Sequence, residues 1–469
     1  MSTTTDSTAV HYHLAGGLSD GHCRRIHAAA LRLLEEVGVE VRLPSLLERI
    51  RDKPGVTARG TRVTFSRELV DGFLQTYRTR HHAGTPAGPE CTLEILTGYG
   101  IYLLDPDSDK LRPMSTADCI ATARLVGSLF PEGVRGGTPG QPQDVPPALR
   151  QILAYKIGCE HTRTNGWVGY TTVAEAEIIR RMAEVSGQSF GLSLFPLDPL
   201  FLDGPTLAMA LDFLDRGLKV DISLTNMALR GMTTPIHLPS AFVGGLATVL
   251  GVFTAFNLLG VELPFSVSVF PFDLRTGNIV YGTPEHILCN LWASQLNAYY
   301  GNGWGYFQAL HTNGVYPDAH TLLERGAFAT ASALAGGRCF GYGGCGGIDV
   351  TFSPELLLYD VELLRYQEHL VTPVPFDEDA LGVDIFREVG PGGEFISQES
   401  TLEHCRELWT SDLLANQPAD AWLRGDAKSV KDAAREKLAR LVKDYDYEVD
   451  PGVKRELERI YAYAEKDIS

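Results

Sequence analysis

The residues best suited to chemistry come directly after short apolar runs, where a buried strand would end. His311 follows "FQAL", Asp273 and Arg275 follow "SVSVFPF", and Asn226 follows "KVDISLT". A histidine at a strand end can donate a hydrogen bond or carry a proton, and an arginine can clamp a carboxylate. We predict His311, Asp273 and Arg275 as catalytic residues, with Asn226 and Gln308 as polar contacts to the substrate.

Aromatic residues crowd the same positions, and few carboxylates accompany them. An aromatic ring face attracts an ammonium ion, and each desolvated contact is worth about 2 kcal/mol, so this composition favours a quaternary amine as ligand. The predicted substrate-binding aromatic residues are Trp167, Tyr170, Phe195, Phe270, Phe272, Trp304, Tyr306, Phe307 and Tyr342, with Tyr99 and Tyr102 closing the mouth of the site. Any single ring could instead fill the core, because strands favour aromatic residues.

Metal and nucleophile signatures are weak. Cys159 and His161 lie close in sequence, as do Cys339 and Cys345, but neither pair has the spacing of a zinc site. No G-x-S-x-G elbow occurs. We therefore predict no bound metal.

Strand and helix patterns alternate from about residue 130, and this alternation predicts how the strand-end residues are positioned. Seven apolar runs, beginning with "GVRGG" and ending with "GRCFGYGG", are each followed by a helix-length amphipathic segment, and "GGEFISQES" is a possible eighth strand. About eight such units favour an α/β fold of the closed (β/α)8 TIM barrel type, whose active site lies at the carboxyl ends of the strands. No dinucleotide-binding or P-loop glycine pattern is present.

The barrel is predicted over residues 130–405, between two attachments. Residues 1–129 form an N-terminal cap, with a helix that Asp20 begins and Gly38 stops, and with a hairpin over residues 91–113. Residues 406–469 form a C-terminal helical extension that packs outside the barrel or on a partner subunit.

The composition of the chain disfavours some classes of binding partner. The net charge of −17, from 58 acidic and 41 basic residues, disfavours nucleic acid and an anionic membrane surface. We find no apolar run approaching the roughly 20 residues that span a bilayer and no leader at the N-terminus, and we predict a cytoplasmic protein. The eight cysteines are scattered and are predicted to be free thiols.

Six segments in a fixed order resemble the trimethylamine methyltransferase family, in particular its non-pyrrolysine members, of which the glycine betaine:corrinoid methyltransferases are the best-defined type. The matching segments are "RIHAAALRLLEEVGVEV", "PQDVPPALRQILAYKI", "FPLDPLFLD", "DLRTGNIVYGTPEH", "YPDAHTLLERGAFATASALAGG" and "PGGEFISQESTLEHCRELW".

This resemblance implies that a barrel moves a methyl group from a quaternary amine to the Co(I) of a separate corrinoid protein. It also implies that the cobalamin belongs to that partner, which docks over the barrel mouth, so this chain holds no permanent cofactor. We expect a homo-oligomer, because long amphipathic helices lie outside the predicted barrel.

Two other functions remain open. A barrel hydrolase or lyase could use Asp273, Glu285 or His311 as general base, and it would react without a corrinoid protein. A non-catalytic betaine-binding subunit would bind the ligand tightly without methyl transfer.

Overall fold

The computed structural model describes residues 16–81, 93–165, 169–301, 307–373, 378–414, 416–425 and 427–468. The helices are α1 Asp20–Arg32, α2 Pro44–Ile50, α3 Arg67–Arg80, α4 Thr116–Ser128, α5 Arg150–His161, α6 Val173–Ser186, α7 Pro205–Asp215, α8 Leu238–Leu258, α9 Pro284–Tyr299, α10 Ala319–Leu334, α11 Pro354–Val371, α12 Glu378–Leu381, α13 Val383–Val389, α14 Glu399–His404, α15 Ala419–Arg424, α16 Val430–Asp444 and α17 Pro451–Asp467. The strands are β1 Val39–Val41, β2 Val56–Arg59, β3 Arg62–Phe65, β4 Glu94–Thr97, β5 Tyr102–Asp105, β6 Lys110–Pro113, β7 Val134–Arg135, β8 Gly191–Leu194, β9 Phe201–Leu202, β10 Asp221–Leu224, β11 Ala228–Arg230, β12 Val269–Asp273, β13 Asn278–Ile279, β14 Phe307–Ala309, β15 Cys339–Gly343, β16 Cys345–Gly346 and β17 Thr351–Phe352.

Parallel strands followed by helices dominate the chain, and the predicted α/β class is confirmed. Strands β14, β15, β4 and β7 form one parallel sheet in that order. Strand β8 pairs in parallel with β10, and Leu224 of β10 bridges in parallel to Phe265. Because the strands are parallel, their carboxyl ends lie on the same edge of each sheet. Among the described residues these ladders do not join into one closed sheet, so the (β/α)8 barrel stays a prediction.

Strand β4 corrects the predicted hairpin over residues 91–113. Only β5 and β6 form an antiparallel hairpin, with Tyr102 opposite Pro113. Strand β4 instead lies in the parallel sheet, between β15 and β7. Pairing with the nearest strand in sequence is the usual expectation, and the partnership with β15 is long-range. The domain division at residue 130 stays a prediction. Strand β4 precedes residue 130 in sequence but belongs to the parallel sheet.

The possible eighth strand "GGEFISQES" is wrong. No strand forms over these residues, and α14 begins at Glu399. Phe395 and Ile396 are exposed, so the segment has no buried face to pair against a sheet.

Capping residues define the helix starts. Ser19, rather than Asp20, caps α1, because its side chain accepts a hydrogen bond from the His22 amide at 3.2 Å. Gly38, with φ of +78°, ends the first helical segment as predicted. Thr283 caps α9 with Pro284 at its first position, which orients the helix that follows β12 and β13.

Helix α8 is the centre of the larger core, and it corrects the statement that no apolar run could span a membrane. It is 21 residues long and apolar enough to do so, but 83 % of its most apolar window is buried inside the protein. It packs against α1 and α3.

The two C-terminal helices pack on other helices of the chain, and the predicted C-terminal extension over residues 406–469 stays a prediction. Helix α16 lies against α4 and α11, and α17 lies against α5 and α6. Arg435 of α16 pairs with Glu355 of α11 at 2.7 Å, and Tyr445 donates to the His161 carbonyl at 2.8 Å. Seven cysteines are free thiols, and Cys91 lies outside the described residues.

Candidate active site at the carboxyl ends of the parallel strands

Five side chains meet beyond the carboxyl ends of the parallel strands, and we name them the Asp349 cluster: Tyr99, Tyr281, His311, Tyr342 and Asp349. Tyr99 follows β4, and Tyr281 follows β13. His311 follows β14, Tyr342 lies near the end of β15, and Asp349 lies in the turn between β16 and β17. Parallel strands from distant parts of the chain therefore bring these residues together.

His311 is held on three sides. Its Nδ1 lies 2.9 Å from an oxygen of Asp349. The ring of Tyr281 stacks on the imidazole with centroids 4.2 Å apart, and the ring of Tyr342 lies at 4.3 Å. Phe270 meets the imidazole edge-on at 6.1 Å. The Nε2 atom has no hydrogen-bond partner in the part of the chain that the structure describes, so it is available to a ligand.

Asp349 carries the charge of the cluster. Burial, followed by the Asp349 carboxylate, raises the pKa of Tyr99, Tyr281 and Tyr342, so these phenols stay neutral. Burial, with His311 beside it, lowers the pKa of the adjoining His286 to about 3. A carboxylate among neutral rings attracts a positively charged ligand.

Three consecutive left-handed residues place Asp349. Gly347, Ile348 and Asp349 have φ values of +57°, +60° and +64°. A non-glycine residue in this region costs about 1–3 kcal/mol, and a β-branched one is rarely found there. The amides of Gly347 and Ile348 donate to the carbonyls of Gly314 and Thr312, at 2.8 and 3.1 Å. The turn that carries Asp349 is thus tied to the segment that follows His311.

A buried ion pair supports the turn from behind. Arg325 of α10, which is 0 % exposed, donates to Asp360 of α11 at 2.6 Å. Arg325 also donates to the Cys345 carbonyl, and Asp360 accepts from the Gly344 amide at 2.7 Å. These bonds hold the end of β15 and the start of β16 against the two helices.

A second carboxyl lies beyond β8. Asn226 donates to Asp198 at 3.0 Å and accepts from the Ser268 amide at 2.9 Å. Burial raises the pKa of Asp198 to about 6, and hydrogen bonds from Thr248 and Asn226 oppose that rise. The predicted contact residue Asn226 therefore orients a buried carboxyl.

Sequence reasoning missed Asp198, Tyr281 and Asp349. Asp198 stands in "FPLDPL", directly after β8, and Asp349 stands in the glycine-rich "GGIDVT" after β15. A carboxylate in a short turn beyond a strand is the signal that could have found both. Tyr281 lies two residues beyond the short strand β13, where nothing local marks it.

Several predicted site residues lie elsewhere. Asp273 and Arg275 hydrogen-bond to each other within their own turn, and the Arg275 side chain is 91 % exposed. Gln308 is buried against α9, where it donates to Ser294 at 3.0 Å and accepts from Asn290. Their catalytic and binding roles stay predictions, without a contact to the Asp349 cluster in the described residues.

The predicted aromatic set divides in three. Tyr342 and Phe270 belong to or touch the cluster, and Tyr99 lies beside its carboxylate. The hydroxyl of Tyr170 bonds instead to the carbonyl of Gly191 and the amide of Ser193, both at 3.0 Å, along the edge of β8. Phe195 and Phe272 are half-buried and Tyr102 is exposed, while Trp167, Trp304, Tyr306 and the side chain of Phe307 lie outside the described residues.

Large apolar side chains are exposed on the loops that leave this edge of the strands, and we name them the apolar rim: Leu197, Met227, Met232, Ile236, Leu274, Tyr316 and Val350. They follow β8, β10, β11, β12, β14 and β16. Apolar side chains clustered on one face and rimmed by polar residues are typical of a protein-binding surface.

No group of three or more His, Cys, Asp or Glu side chains is close enough to hold a metal ion within the described ranges. The prediction that the chain binds no metal stays a prediction.

Known proteins similar to this chain are methyltransferases. Residues 8–468 match the family model of trimethylamine methyltransferase (MTTB). The chain is 25 % identical over 484 residues to glycine betaine methyltransferase of Desulfitobacterium hafniense (strain Y51), covering 96 % of this chain and 97 % of that protein. It is 23 % identical to trimethylamine methyltransferase MttB of D. hafniense (strain DSM 10664 / DCB-2), over 93 % of this chain and 91 % of that one. The crystal structure of the Methanosarcina barkeri monomethylamine methyltransferase (MtmB) aligns with a TM-score of 0.45 at 12 % identity, covering 93 % of this chain and 90 % of that one.

Proposed function

The chain belongs to the trimethylamine methyltransferase family, and from that premise we propose that it moves a methyl group from a betaine to the Co(I) of a corrinoid protein. Glycine betaine or a related betaine is the proposed donor, in line with the similarity of the chain to a glycine betaine methyltransferase. The observation that carries the proposal is the clamped His311, with Nδ1 on Asp349 and Nε2 available, at the carboxyl ends of parallel strands.

A betaine fits the two kinds of group in the Asp349 cluster. Asp349 at Nδ1 orients the His311 ring, and in the proposed complex the Nε2–H of His311 donates to the betaine carboxylate. The ammonium end lies against the faces of Tyr99, Tyr342 and Phe270, which attract it. A trimethylamine donor lacks the carboxylate and would leave His311 Nε2 without a partner.

Substrate entry requires a side chain to move. The cavity beside Tyr99 measures about 20 Å³, which is room for about one water molecule. Tyr99 is 36 % exposed and is the side chain that swings to admit the ammonium group. Its return over the bound amine excludes water from the C–N bond.

The proposed methyl transfer does not require a general acid. The methyl carbon leaves nitrogen without the C–N bonding electrons, which stay on the amine as a neutral lone pair. No proton has to be supplied to the leaving group, so the residues of this chain act by orienting the C–N bond in a dry site. The docked corrinoid protein supplies Co(I) as the methyl acceptor.

Docking of the acceptor protein accounts for the apolar rim. Leu274 is 70 % exposed and Met232 is 60 % exposed, on loops that surround the same edge as the Asp349 cluster. A partner seated there would bury these side chains and bring its cobalt over the cluster. The closed (β/α)8 barrel that we infer for the fold would give that rim a ring shape, and the parallel ladders β14–β15–β4–β7 and β8–β10 support it.

The test is a spectroscopic methylation assay of the purified protein with a Co(I) corrinoid protein. The panel is glycine betaine, proline betaine, carnitine, γ-butyrobetaine and trimethylamine. We expect methylated corrinoid with one betaine and none with trimethylamine. Betaine consumption without a corrinoid protein would indicate the hydrolase or lyase. Tight betaine binding with no methylation of an acceptor that works with another methyltransferase would indicate a binding subunit.

A further inference from the structure

A large cavity lies at the opposite ends of the strands from the Asp349 cluster. Its volume is about 730 Å³. Gly191 and Asp221, the first residues of β8 and β10, line it, as does Pro264 directly before the bridged Phe265. Ser193 and Ser223 extend the lining along the strands, and the apolar side chains of Leu214, Val220, Ile222 and Val261 complete it.

The lining suits a small organic cation. It contains the carboxylates Asp221 and Glu262 and the rings of Tyr155, Tyr170 and Phe190, and no lysine, arginine or histidine among the described residues. Glu262 forms an ion pair with Arg80 at 2.8 Å and a hydrogen bond with His81 at 2.7 Å. Asp221 has no such ion pair in the described structure. Carboxylate and ring faces together attract an alkylammonium group.

Two residues connect this cavity with the small one beside Tyr99. Tyr155 and Asn165 line both. Asn165 is held in place, because its side-chain amide donates to the Tyr155 carbonyl at 3.1 Å and to the Cys159 sulfur at 3.1 Å. Tyr155 is 4 % exposed, and its hydroxyl has no hydrogen-bond partner among the described residues. A buried unpaired hydroxyl between two cavities is a site for a ligand atom.

We propose that the 730 Å³ cavity is an antechamber that binds quaternary and tertiary ammonium compounds and exchanges them with the Asp349 cluster past Tyr155. The inference rests on the proposed function. A protein docked on the apolar rim covers the mouth, and a small amine then needs a second way in and out. The amino-end cavity provides it on the face that the docked protein leaves open.

A charge-selective labelling experiment tests the cavity without requiring activity. Ser223→Cys places a thiol in the lining, and two methanethiosulfonate reagents of similar size carry either a trimethylammonium or a sulfonate group. The rate of each reagent is normalised to its rate with a free cysteine peptide, and the modified peptide is identified by mass spectrometry. We expect the cationic reagent to react with Ser223→Cys at least 10-fold faster than the anionic one. We also expect excess glycine betaine to slow it several-fold. Equal normalised rates, or no effect of the betaine, would overturn the cation site.

The labelled protein then tests the route. The cationic label places a trimethylammonium group permanently in the cation site of the cavity after the chain has folded, and labelling with methyl methanethiosulfonate gives a matched control with a small, uncharged adduct. We expect steady-state methylation of the corrinoid protein to fall at least 10-fold with the large label only, while the first turnover of pre-bound betaine is unchanged. Equal steady-state methylation rates with the two labels would show that the amine does not pass through the cavity. If labelling is charge-selective but the protein never methylates a corrinoid protein, the proposed function is wrong while the cation site is still supported.

Discussion

At the scale of single residues, the contact between His311 and Asp349 is the one on which the proposed reaction depends most directly. The imidazole is buried between Tyr281 and Tyr342, so it cannot turn away, and Asp349 determines which ring nitrogen carries the hydrogen bond. His311 is also the one predicted catalytic residue that the structure places within the cluster.

Asp349→Asn tests that contact. Loss of a charge-assisted hydrogen bond costs about 1.5–3 kcal/mol, so we expect kcat/KM for the betaine to fall roughly 10- to 150-fold. The matched control is Asp215→Asn, which changes an exposed carboxylate paired with Arg49 at the end of α7 and should leave kcat/KM unaffected. Equal activity of both variants would show that Asp349 does not support His311 in the reaction.

Asp198 gives a prediction for stability against pH. Its pKa is about 6 in the folded protein, above the ordinary value of 3.8, so the native state holds the proton more tightly than the unfolded chain. Stability is therefore highest below about pH 4 with respect to this group, and it falls as the pH rises from about 4 to 6, by on the order of 2–3 kcal/mol.

Asp198→Asn should remove that loss. Urea denaturation of both proteins at intervals between pH 4 and pH 7.5 measures it, and the difference in unfolding free energy should shift in favour of the variant as the pH rises. Asp215→Asn again serves as control, because its exposed carboxylate has a lowered pKa. A difference that does not change with pH would mean that Asp198 titrates normally.

At the scale of elements, helices α10 and α11 determine where the β15–β17 segment carries Tyr342 and Asp349. Arg325 and Asp360 link the two helices to each other and to the backbone of that segment. The strained turn over residues 347–349 persists because this support, and the amide bonds to the segment after β14, hold it in place.

Arg325→Met tests the support. It leaves Asp360 as an unpaired buried carboxylate, and we expect the free energy of unfolding to fall by about 3–5 kcal/mol. The control Arg32→Met, which breaks the exposed pair with Glu36 at the end of α1, should cost about 1 kcal/mol or less. The double variant Arg325→Met, Asp360→Leu removes both charges and should recover much of the loss, whereas an equally unstable double variant would contradict the role of the unpaired charge.

At the scale of the whole molecule, exposed apolar residues occur both on the apolar rim and along the peripheral helices α13–α15. The apolar rim surrounds the edge that carries the candidate site, and the antechamber opens at the other end of β8 and β10. The two faces would serve the protein acceptor and the small donor separately.

Leu274→Glu tests the rim. A glutamate in a buried apolar contact should weaken binding of the corrinoid protein about 10-fold or more, measured by calorimetry, with little change in Tm because the side chain is exposed in the free protein. Leu423→Glu changes a leucine that is 87 % exposed on α15, which follows none of the strands that carry the rim, and should leave the affinity unchanged. Equal weakening by both would exclude the rim as the docking surface.

The predicted homo-oligomer belongs to the same scale. Apolar side chains are exposed along the peripheral helices α13–α15, among them Phe386, Leu402 and Leu423. Light scattering after size exclusion should give a mass that is a multiple of 51.2 kDa. A mass of one chain at micromolar concentration would refute the prediction, and the cytoplasmic location likewise stays a prediction.

Local patterns in the sequence were sufficient for the α/β class, the end of the first helical segment at Gly38, and His311 at a strand end. These features depend on residues a few positions apart, whose hydrophobic period and side-chain hydrogen bonds can be recognised without the fold. The resemblance to the methyltransferase family likewise came from the order of the sequence segments.

Only the tertiary structure decided which residues and strands contact each other. Asp349 stands 38 residues from His311, Asn226 stands 28 residues from Asp198, and β4 pairs with a strand more than 240 residues away. Nothing local distinguishes these residues from other aspartates, asparagines or short strands, because contacts between distant residues depend on how all the strands and helices pack together. Asp273 and Arg275 illustrate the converse, since a plausible pair at a strand end bonds to itself on the surface.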